Sequence, residues 1–506
     1  MNIEISARFS AFPSLTVEAT NLRPQGAFAK AQAIFLRPEP LSVKRLETQL
    51  AATQTGIVAH FYMDPELQGV LAACSYPHVH ISDSLAMADR AVQMARAGVR
   101  SIIVLGVDFM AENVRAMLDT IGMHHVEVYT VAEKEIGCSL AQSAESQQYQ
   151  AFLRKAAATH NSLHVVYINT SLRTKAFAHQ WIPTLTCTSS NVVQTILQAF
   201  SQSPDLKVWF GPDTYMGQNL ESMFRYMAKL DESAIAAIHP SHTPQTIEKI
   251  FSNFHYFRQG NCIVHHMFGG EVVDRVRSDY ADAHIAAHLE VPGEMFALAL
   301  EAQQCGRGVV GSTSDILRYV SSLVENPGSK SADKPTRVIL GTEVGMVTSI
   351  VHQLQLRLAK EREITGASPS IEIVFPVAYQ AISVGDDQAM PIIPGPAAGE
   401  GCSPAGGCAT CPYMKMNSLE TLMDLVESLD RRGVDLSGYR CKKYSDEIDG
   451  ESIAALGSVP IVSMRKFQQS GQIPESLLAE AWDRTGPAAV ESLISSMNRG
   501  IPSVFG

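Results

Sequence analysis

The stretch that decides the fold begins with GIVAHFY (56–62) and continues through HVHISDS (78–84) and SIIVLGVD (101–108). Each of these is a short apolar run that ends in polar residues, and a segment with helical spacing follows each run. Short buried strands that alternate with helices are typical of parallel α/β structure. This part of the chain therefore predicts one α/β unit whose strands end in polar side chains.

The same order of elements occurs twice more along the chain. The second copy contains LHVVYIN (163–169), TLTCTSS (184–190) and LKVWFGPD (206–213), and the third contains AHIAAHLE (283–290), GVVGST (308–313) and RVILGTE (337–343). In each copy a polar residue follows the first strand and a Ser or Thr follows the second. The distance between these two residues is 24, 20 and 25 positions in the three copies (60 to 84, 169 to 189, 288 to 313). Repetition in a fixed order predicts three similar α/β domains. The alternative is one α/β domain whose strand ends look alike because all strand-to-helix turns use Ser, Thr, Gly and Asp.

The repeats suggest how the chain of 506 residues is divided. Such a length is typical of about three domains. We expect the following segments: an N-terminal preamble (1–50), a first α/β domain (51–137), a second (138–260), a third that includes a cysteine-rich loop (261–425), and a C-terminal helical extension (426–506). We expect the extension to pack on the third domain.

Composition excludes several classes of protein. The formal net charge is -11 and no basic stripe is visible, which argues against binding to nucleic acid or to a membrane surface. No apolar run approaches the roughly 20 residues that cross a bilayer, and residues 1–10 have no apolar signal core. Nine scattered cysteines in a chain of this size indicate a reducing compartment and metal or redox use. We expect a cytoplasmic protein, or one of the plastid stroma if a leader has been removed.

Each predicted domain places one cysteine after its last strand: Cys138, Cys262 and Cys411. Cys411 lies in a Gly/Pro-rich loop together with Cys402 and Cys408, and this spacing lacks the second Cys/His pair of a closed zinc site. Ligands bind outside the carboxyl ends of parallel strands, so three domains that face one another would bring the three thiols together. Three thiolates on a 4Fe-4S cluster leave one iron without a protein ligand, and this iron can act as a Lewis acid. A zinc-structured binding module at the loop cysteines, and a redox pair of Cys408 with Cys411, remain alternatives.

The same convergence gathers polar side chains from all three repeats. They are His60, Tyr62, Ser84, Tyr167, Asn169, Ser189, His265, His288, Glu290 and Thr313. Ser84, Ser189 and Thr313 stand where helices are predicted to begin, and helix N-termini favour anions such as carboxylate or phosphate. We expect N-capping to be part of the role of these three residues, and only the family resemblance described below adds substrate contact.

Several motifs together resemble one known family, quinolinate synthase, the iron-sulfur enzyme of de novo NAD biosynthesis. They are VAHFYMDPELQ (58–68), ISDSLAMA (81–88), VLGVDFMAENV (104–114), VVYINTS (165–171), CTSSN (187–191), CIVHHMF (262–268), HLEVP (288–292), VGSTS (310–314), GTEVGM (341–346) and CPYMKMNSLETL (411–422). The longer stretches VVYINTSLRTKAFAH (165–179) and HLEVPGEMFALA (288–299) are most similar to the long, plant-type members, and we expect a form without their N-terminal sulfur-acceptor domain.

The resemblance implies a fold, an activity and partners. It implies three-layer α/β/α domains with short parallel sheets around a pseudo-threefold axis, with the cluster and active site at the centre. It implies a transferase that condenses iminosuccinate with dihydroxyacetone phosphate to quinolinate, with loss of phosphate and water. Functional links to L-aspartate oxidase or dehydrogenase and to cluster-assembly proteins follow from that activity.

Site roles transfer residue by residue onto the matching motifs. The cluster ligands would be Cys138, Cys262 and Cys411. Catalytic roles would fall to His60, Tyr62, His265 and Glu290, with Tyr62 and Glu290 acting as a pair. Substrate contacts would come from His60, Ser84, Tyr167, Asn169, Ser189, His288, Glu290 and Thr313. A different class of function, an iron-sulfur electron-transfer or sensor protein without synthase activity, remains the alternative.

Overall fold

The computed structural model describes residues 11–262, 264–265, 268–325, 334–376, 411, 413–431, 433–448 and 450–486. The N-terminal segment contains β1 (Ser14–Val17), β2 (Leu22–Gln25), α1 (Ala27–Phe35) and α2 (Pro40–Thr53). The first repeat contains β3 (Thr55–His60), α3 (Pro65–Ala73), β4 (Val79–Ser82), α4 (Ser84–Arg96), β5 (Ser101–Leu105), α5 (Asp108–Thr120) and β6 (Glu127–Tyr129). Its four strands form a parallel sheet in the order β4-β3-β5-β6.

The second repeat builds a sheet of the same topology. It contains α6 (Ser139–Ala144), α7 (Gln147–Ala157), β7 (Ser162–Tyr167), α8 (Leu172–Trp181), β8 (Thr184–Cys187), α9 (Val192–Gln202), β9 (Lys207–Gly211), α10 (Thr214–Met227), α11 (Glu232–Ile238), α12 (Pro244–Asn253) and β10 (Phe254–Tyr256). Its parallel strands lie in the order β8-β7-β9-β10, so the first strand of the repeat again lies between the second and the third.

The third repeat has this topology as well, and the N-terminal segment extends its sheet. It contains α13 (Gly270–Asp279), β11 (His284–His288), α14 (Gly293–Gln304), β12 (Gly308–Gly311), α15 (Thr313–Ser322), β13 (Thr336–Gly341), α16 (Met346–Thr365) and β14 (Ile371–Val374). The order is β12-β11-β13-β14-β1-β2, in which β1 is antiparallel to both of its neighbours. The three-repeat interpretation is therefore confirmed, and the single-domain alternative is wrong. The exact domain boundaries stay a prediction.

Local sequence explains these elements. All six residues of β3 are buried, as are all six of β7, because helices cover both faces of a parallel sheet. This is why the strands read as continuous apolar runs rather than as alternating ones. Helix α3 begins where the sequence offers a side-chain cap and a proline: Asp64 accepts the N–H of Glu66, and Pro65 occupies the first helical turn.

The C-terminal extension lies elsewhere than expected. It contains β15 (Glu447–Ile448), β16 (Glu451–Ser452), α18 (Ile453–Ser470) and α19 (Glu475–Asp483), and α17 (Leu419–Asp430) crosses its predicted start. Helix α18 packs along α8 and β8 of the second repeat and touches α5 of the first, while α17 packs on α2. The expectation that the extension packs on the third domain is wrong for α18. The apolar face of this helix is covered by the second repeat instead.

The buried core connects the repeats. One continuous cluster of buried side chains combines the second and third repeats with the N-terminal strands, and another combines the first repeat with α17. Among the described helices, none is both long enough and apolar enough to cross a bilayer.

Candidate active site

A single cavity of about 820 Å3, including its opening to solvent, lies where the carboxyl ends of the three sheets converge. All residues singled out from the sequence line it: His60, Tyr62, Ser84, Cys138, Tyr167, Asn169, Ser189, Cys262, His265, His288, Glu290, Thr313 and Cys411. The topology explains this placement, because in each sheet the residues after the first two strands emerge at the same edge. Their proximity agrees with the roles predicted for them, and the roles themselves remain predictions.

The three cysteines at the centre come from separate parts of the chain. Cys138 directly precedes α6, Cys262 follows β10, and Cys411 precedes a short 3-10 turn at Met414–Met416. All three are free thiols. Burial raises the pKa of Cys138 to about 11 and that of Cys411 to about 12, and Cys138 raises the pKa of Cys411 further. Such a group of thiols can ionise together only beside a cation, which is the expected behaviour of metal ligands.

A second set of ligand atoms adjoins Cys262. The donor atoms of Cys262, His265 and Glu290 all lie within 4.8 Å of one another, so this group could hold a metal ion. Glu290 is 3% exposed, and its two oxygens face different partners. Tyr167 donates its hydroxyl hydrogen to Oε1, and Nδ1 of His265 lies 2.9 Å from Oε2.

Glu290 has a depressed pKa despite its burial. Burial alone favours the neutral carboxyl, but His288, His265 and the hydroxyl of Tyr167 together hold the pKa of Glu290 below its ordinary value. Burial also lowers the pKa of His288 to about 4. The pair of stacked imidazoles, His265 and His288, has ring centroids 5.2 Å apart and an angle of 3° between the planes. Nε2 of each ring is buried and has no hydrogen-bond partner among the described residues, so both atoms are available to a ligand.

His60 and Tyr62 also line the cavity. The N–H of Tyr62 donates to Nδ1 of His60 over 3.2 Å, and the Tyr62 hydroxyl lies 3.2 Å from Oγ1 of Thr313. Burial lowers the pKa of His60 to about 3, so its imidazole is neutral at physiological pH. Burial raises the pKa of Tyr62, so its hydroxyl keeps its proton. The predicted pairing of Tyr62 with Glu290 is not a hydrogen bond in the described structure, because Glu290 accepts from Tyr167 instead.

The expectation that Ser84, Ser189 and Thr313 cap helices is wrong, because another residue occupies each cap position. Asp83 caps α4, where it accepts the N–H groups of the two residues after Ser84 over 3.0 and 2.9 Å. Ser312 caps α15, and Asn191 occupies the cap position of α9. Because neighbours do the capping, the hydroxyl groups of Ser84 and Thr313 lie in the first turn of a helix, at the positive end of its dipole. This is a favourable position for contact with an anion.

Sequence reasoning missed some of the cavity wall. Glu343 and Tyr413 line it, as do Asp83 and Ser139. Glu343 is 1% exposed and ends the strand-to-helix turn GTE of the third repeat. The signal was present, because the acid stands at a strand end in the same place as Asp108 and Asp213 of the other repeats.

Comparisons with known proteins agree with this geometry. The family model of NadA, quinolinate synthetase A protein, matches residues 43–448. A chloroplastic quinolinate synthase of Nicotiana tabacum is 50% identical over 487 residues, which cover 94% of this chain and 68% of the relative. One from Arabidopsis thaliana is 49% identical over 484 residues, or 93% of this chain and 67% of the relative. A quinolinate synthase of Prochlorococcus marinus (strain MIT 9303) is 28% identical over 419 residues, or 82% of this chain and 89% of the relative. The chain spans about two thirds of the plant relatives, and α18 lies beyond the family match.

Proposed function

Because this chain belongs to the quinolinate synthetase A family, we propose that it acts as a quinolinate synthase, condensing iminosuccinate with dihydroxyacetone phosphate to quinolinate with loss of phosphate and water. The observation that carries the proposal is the convergence of three free thiols and ten predicted polar residues on one cavity. We expect a supplying reaction that oxidises L-aspartate, by an oxidase or dehydrogenase. The plant relatives are named chloroplastic, which favours the plastid stroma over the cytoplasm.

A 4Fe-4S cluster fits the donor set. Cys138, Cys262 and Cys411 would hold it, since these free thiols line one cavity and both Cys138 and Cys411 raise the pKa of Cys262. Bound in this way, such a cluster supplies one iron without a protein ligand, which can act as a Lewis acid on a hydroxyl or carboxylate. The unpartnered Nε2 atoms of His265 and His288 lie in the wall of the same cavity. Cluster-assembly proteins are the partners that this cofactor requires.

Side chains of the protein would bind the substrates and transfer protons. Ser84, Ser189, Thr313 and Asn169 would hold the anionic groups of the substrates, helped by the N-termini of α4 and α15. Neutral His60 can accept a proton, whereas the protonated hydroxyl of Tyr62 can donate one. Glu290 would receive a proton through Tyr167 or His265, its two direct partners.

Two other functions make different predictions. An electron-transfer or sensor protein would contain the cluster but make no quinolinate. A zinc-structured module would bind zinc through Cys402, Cys408 and Cys411, of which the first two lie outside the described residues.

Anaerobic reconstitution tests all three. We expect iron and acid-labile sulfide to bind in stoichiometric amounts, and quinolinate to form from iminosuccinate and dihydroxyacetone phosphate. Cys138→Ser should lose the cluster and the activity, whereas Cys305→Ser, at an exposed cysteine, should keep both. A protein that holds a cluster but makes no product would refute the synthase activity, and one that holds zinc without iron would refute the cofactor.

A further inference from the structure

Glu343 makes contacts that none of the proposed roles uses. Its side chain is buried in the cavity wall, and each of its two oxygens accepts a different backbone N–H. Oε2 accepts from Gly345 over 2.7 Å, and Oε1 accepts from Cys411 over 3.3 Å. The second contact joins residues that are 68 positions apart in the chain. A carboxyl that binds the backbone of a thiol-bearing residue controls where that residue lies.

The first contact holds the carboxyl itself in place. Gly345 directly precedes α16 as its cap residue, and its carbonyl accepts from Nε2 of Gln68 over 2.7 Å. The backbone of Gly345 also packs closely on the first repeat, because an added Cβ would come within 2.8 Å of Phe61 O and of Tyr62 Cα. The Glu343 carboxyl is therefore anchored to a junction between the first and third repeats that cannot shift easily.

Within the described part of the chain, two backbone hydrogen bonds hold Cys411. Its carbonyl accepts the N–H of Lys415, within the turn that follows, and its N–H is held by Glu343. The Lys415 contact is local, whereas the Glu343 contact ties Cys411 to the sheet of the third repeat through the end of β13. Without it, the N–H of Cys411 would lose its partner in this structure.

We propose that Glu343 is a positioning residue that fixes Cys411 against the other two thiols by holding its backbone. This inference rests on the proposed cluster, since Cys411 is one of its three proposed ligands. Groups that orient a metal ligand typically alter metal affinity by about 10- to 100-fold when they are replaced. Loss of the carboxyl should therefore weaken retention of the cluster more than it weakens the fold.

The test measures cluster retention directly. Wild type, Glu343→Gln and Glu343→Met are reconstituted anaerobically and mixed with an iron chelator. The loss of cluster absorbance then measures the rate of iron release. The Glu343→Gln side chain keeps one hydrogen-bond acceptor and the Glu343→Met side chain keeps none. We therefore expect iron release to be fastest from Glu343→Met and intermediate from Glu343→Gln. Glu343→Met should release iron about 10- to 100-fold faster than wild type. Thermal unfolding of the cluster-free variants is measured in parallel.

Two controls separate positioning from a general weakening of the junction. Gln68→Leu removes the neighbouring bond to Gly345 but touches no part of Cys411, so it should lower thermal stability and leave iron release near the wild-type rate. Glu363→Gln, at an exposed glutamate of α16, should change neither. Should Glu343→Met fail to fold, Glu343→Gln and Glu343→Asp, which keep a polar group, are compared with wild type in the same assay.

The outcomes are distinct. Iron release at the wild-type rate from the folded Glu343 variants would overturn the positioning role while the cluster and the synthase activity stand. Equal acceleration by Gln68→Leu would also overturn it, because the effect would then belong to the junction. A wild-type protein that retains no iron and sulfide would instead overturn the proposed cofactor.

Discussion

At the residue scale, the site depends on one buried carboxylate and its partners. Glu290 accepts a hydrogen bond from Tyr167 and lies beside His265, two residues that reach it from different segments of the chain. A buried carboxyl that loses one of these partners keeps the cost of its desolvation without the compensating bond. We therefore expect removal of the Tyr167 hydroxyl alone to slow catalysis.

Replacing Tyr167 by Phe removes only that hydroxyl. Because a hydrogen bond to a charged group contributes about 1.5–3 kcal/mol, we expect kcat/KM for quinolinate formation to fall by about 10- to 100-fold. Cluster content should stay at the wild-type level, since Tyr167 is not a predicted ligand. Tyr226→Phe, at a half-buried tyrosine of α10 outside the cavity, serves as the control. Unchanged kcat/KM in Tyr167→Phe would show that the contact with Glu290 has no catalytic importance.

At the scale of elements, α18 supports the loops that carry the predicted substrate contacts. Its Gly457 packs against the carbonyl of Leu172, the first residue of α8, just beyond the loop that contains Asn169. Its Met464 accepts a hydrogen bond from Asn191, which in turn accepts the N–H of Thr188 beside Ser189. Helix α18, which lies beyond the family match, therefore supports the two loops of the second repeat that contain Asn169 and Ser189.

Substituting Gly457 by Ala tests this support. An added Cβ would lie 2.4 Å from the carbonyl oxygen of Leu172, so α18 and α8 must separate. The strain should outweigh the roughly 1 kcal/mol that Ala gains over Gly inside a helix, and lower the free energy of unfolding by about 1–3 kcal/mol. We also expect KM to rise while cluster content is unchanged.

A matched substitution isolates the effect of the contact. Gly270→Ala places the same methyl group in the first turn of α13, where no atom lies within 4 Å, and should not destabilise the protein. Equal stability of the two variants would mean that α18 packs on α8 less tightly than described.

At the scale of the whole molecule, the fold buries neutral histidines. His164, on β7, is completely buried, with Nε2 2.9 Å from the hydroxyl of Tyr149 and Nδ1 3.3 Å from Oγ1 of Thr184. Burial lowers its pKa from 6.5 to about 3. Between these two pH values the unfolded chain binds a proton that the folded protein excludes. The stabilising contribution is therefore complete above pH 6.5 and is lost progressively as the pH falls toward 3.

His164→Gln removes this titration and leaves a polar side chain. We expect the dependence of the unfolding free energy on pH, measured by denaturant titration in the range between these pKa values, to become less steep by about 1.4 kcal/mol per pH unit. His125→Gln, at an exposed histidine, should leave the slope as it is. An unchanged slope in His164→Gln would mean that His164 accepts a proton in the folded state.

Much of this architecture could be predicted from the sequence, because it is encoded locally. The strand β5 spans Ser101–Leu105, inside the predicted run 101–108, and the helix α3 spans Pro65–Ala73, where a segment with helical spacing follows the run 56–62. The repeated order of strand ends, together with the family resemblance, was enough to select the three proposed cluster ligands and the ten polar residues with proposed catalytic or substrate roles. Periodicity, capping and turn residues act within a few positions of the chain, so a linear pattern records them directly.

Contacts between distant segments could not be predicted in this way. The sequence alone favoured three α/β repeats, thiols at their ends and helix N-termini facing a common ligand. Only the tertiary structure decided that Glu290 bonds to Tyr167 rather than to Tyr62, that Asp83 and Ser312 cap the helices, and that α18 lies on the second repeat. It also decided that Glu343 holds Cys411. The physical reason is that a side chain's partner depends on distances between elements, which are set by how the sheets and helices pack and not by spacing along the chain.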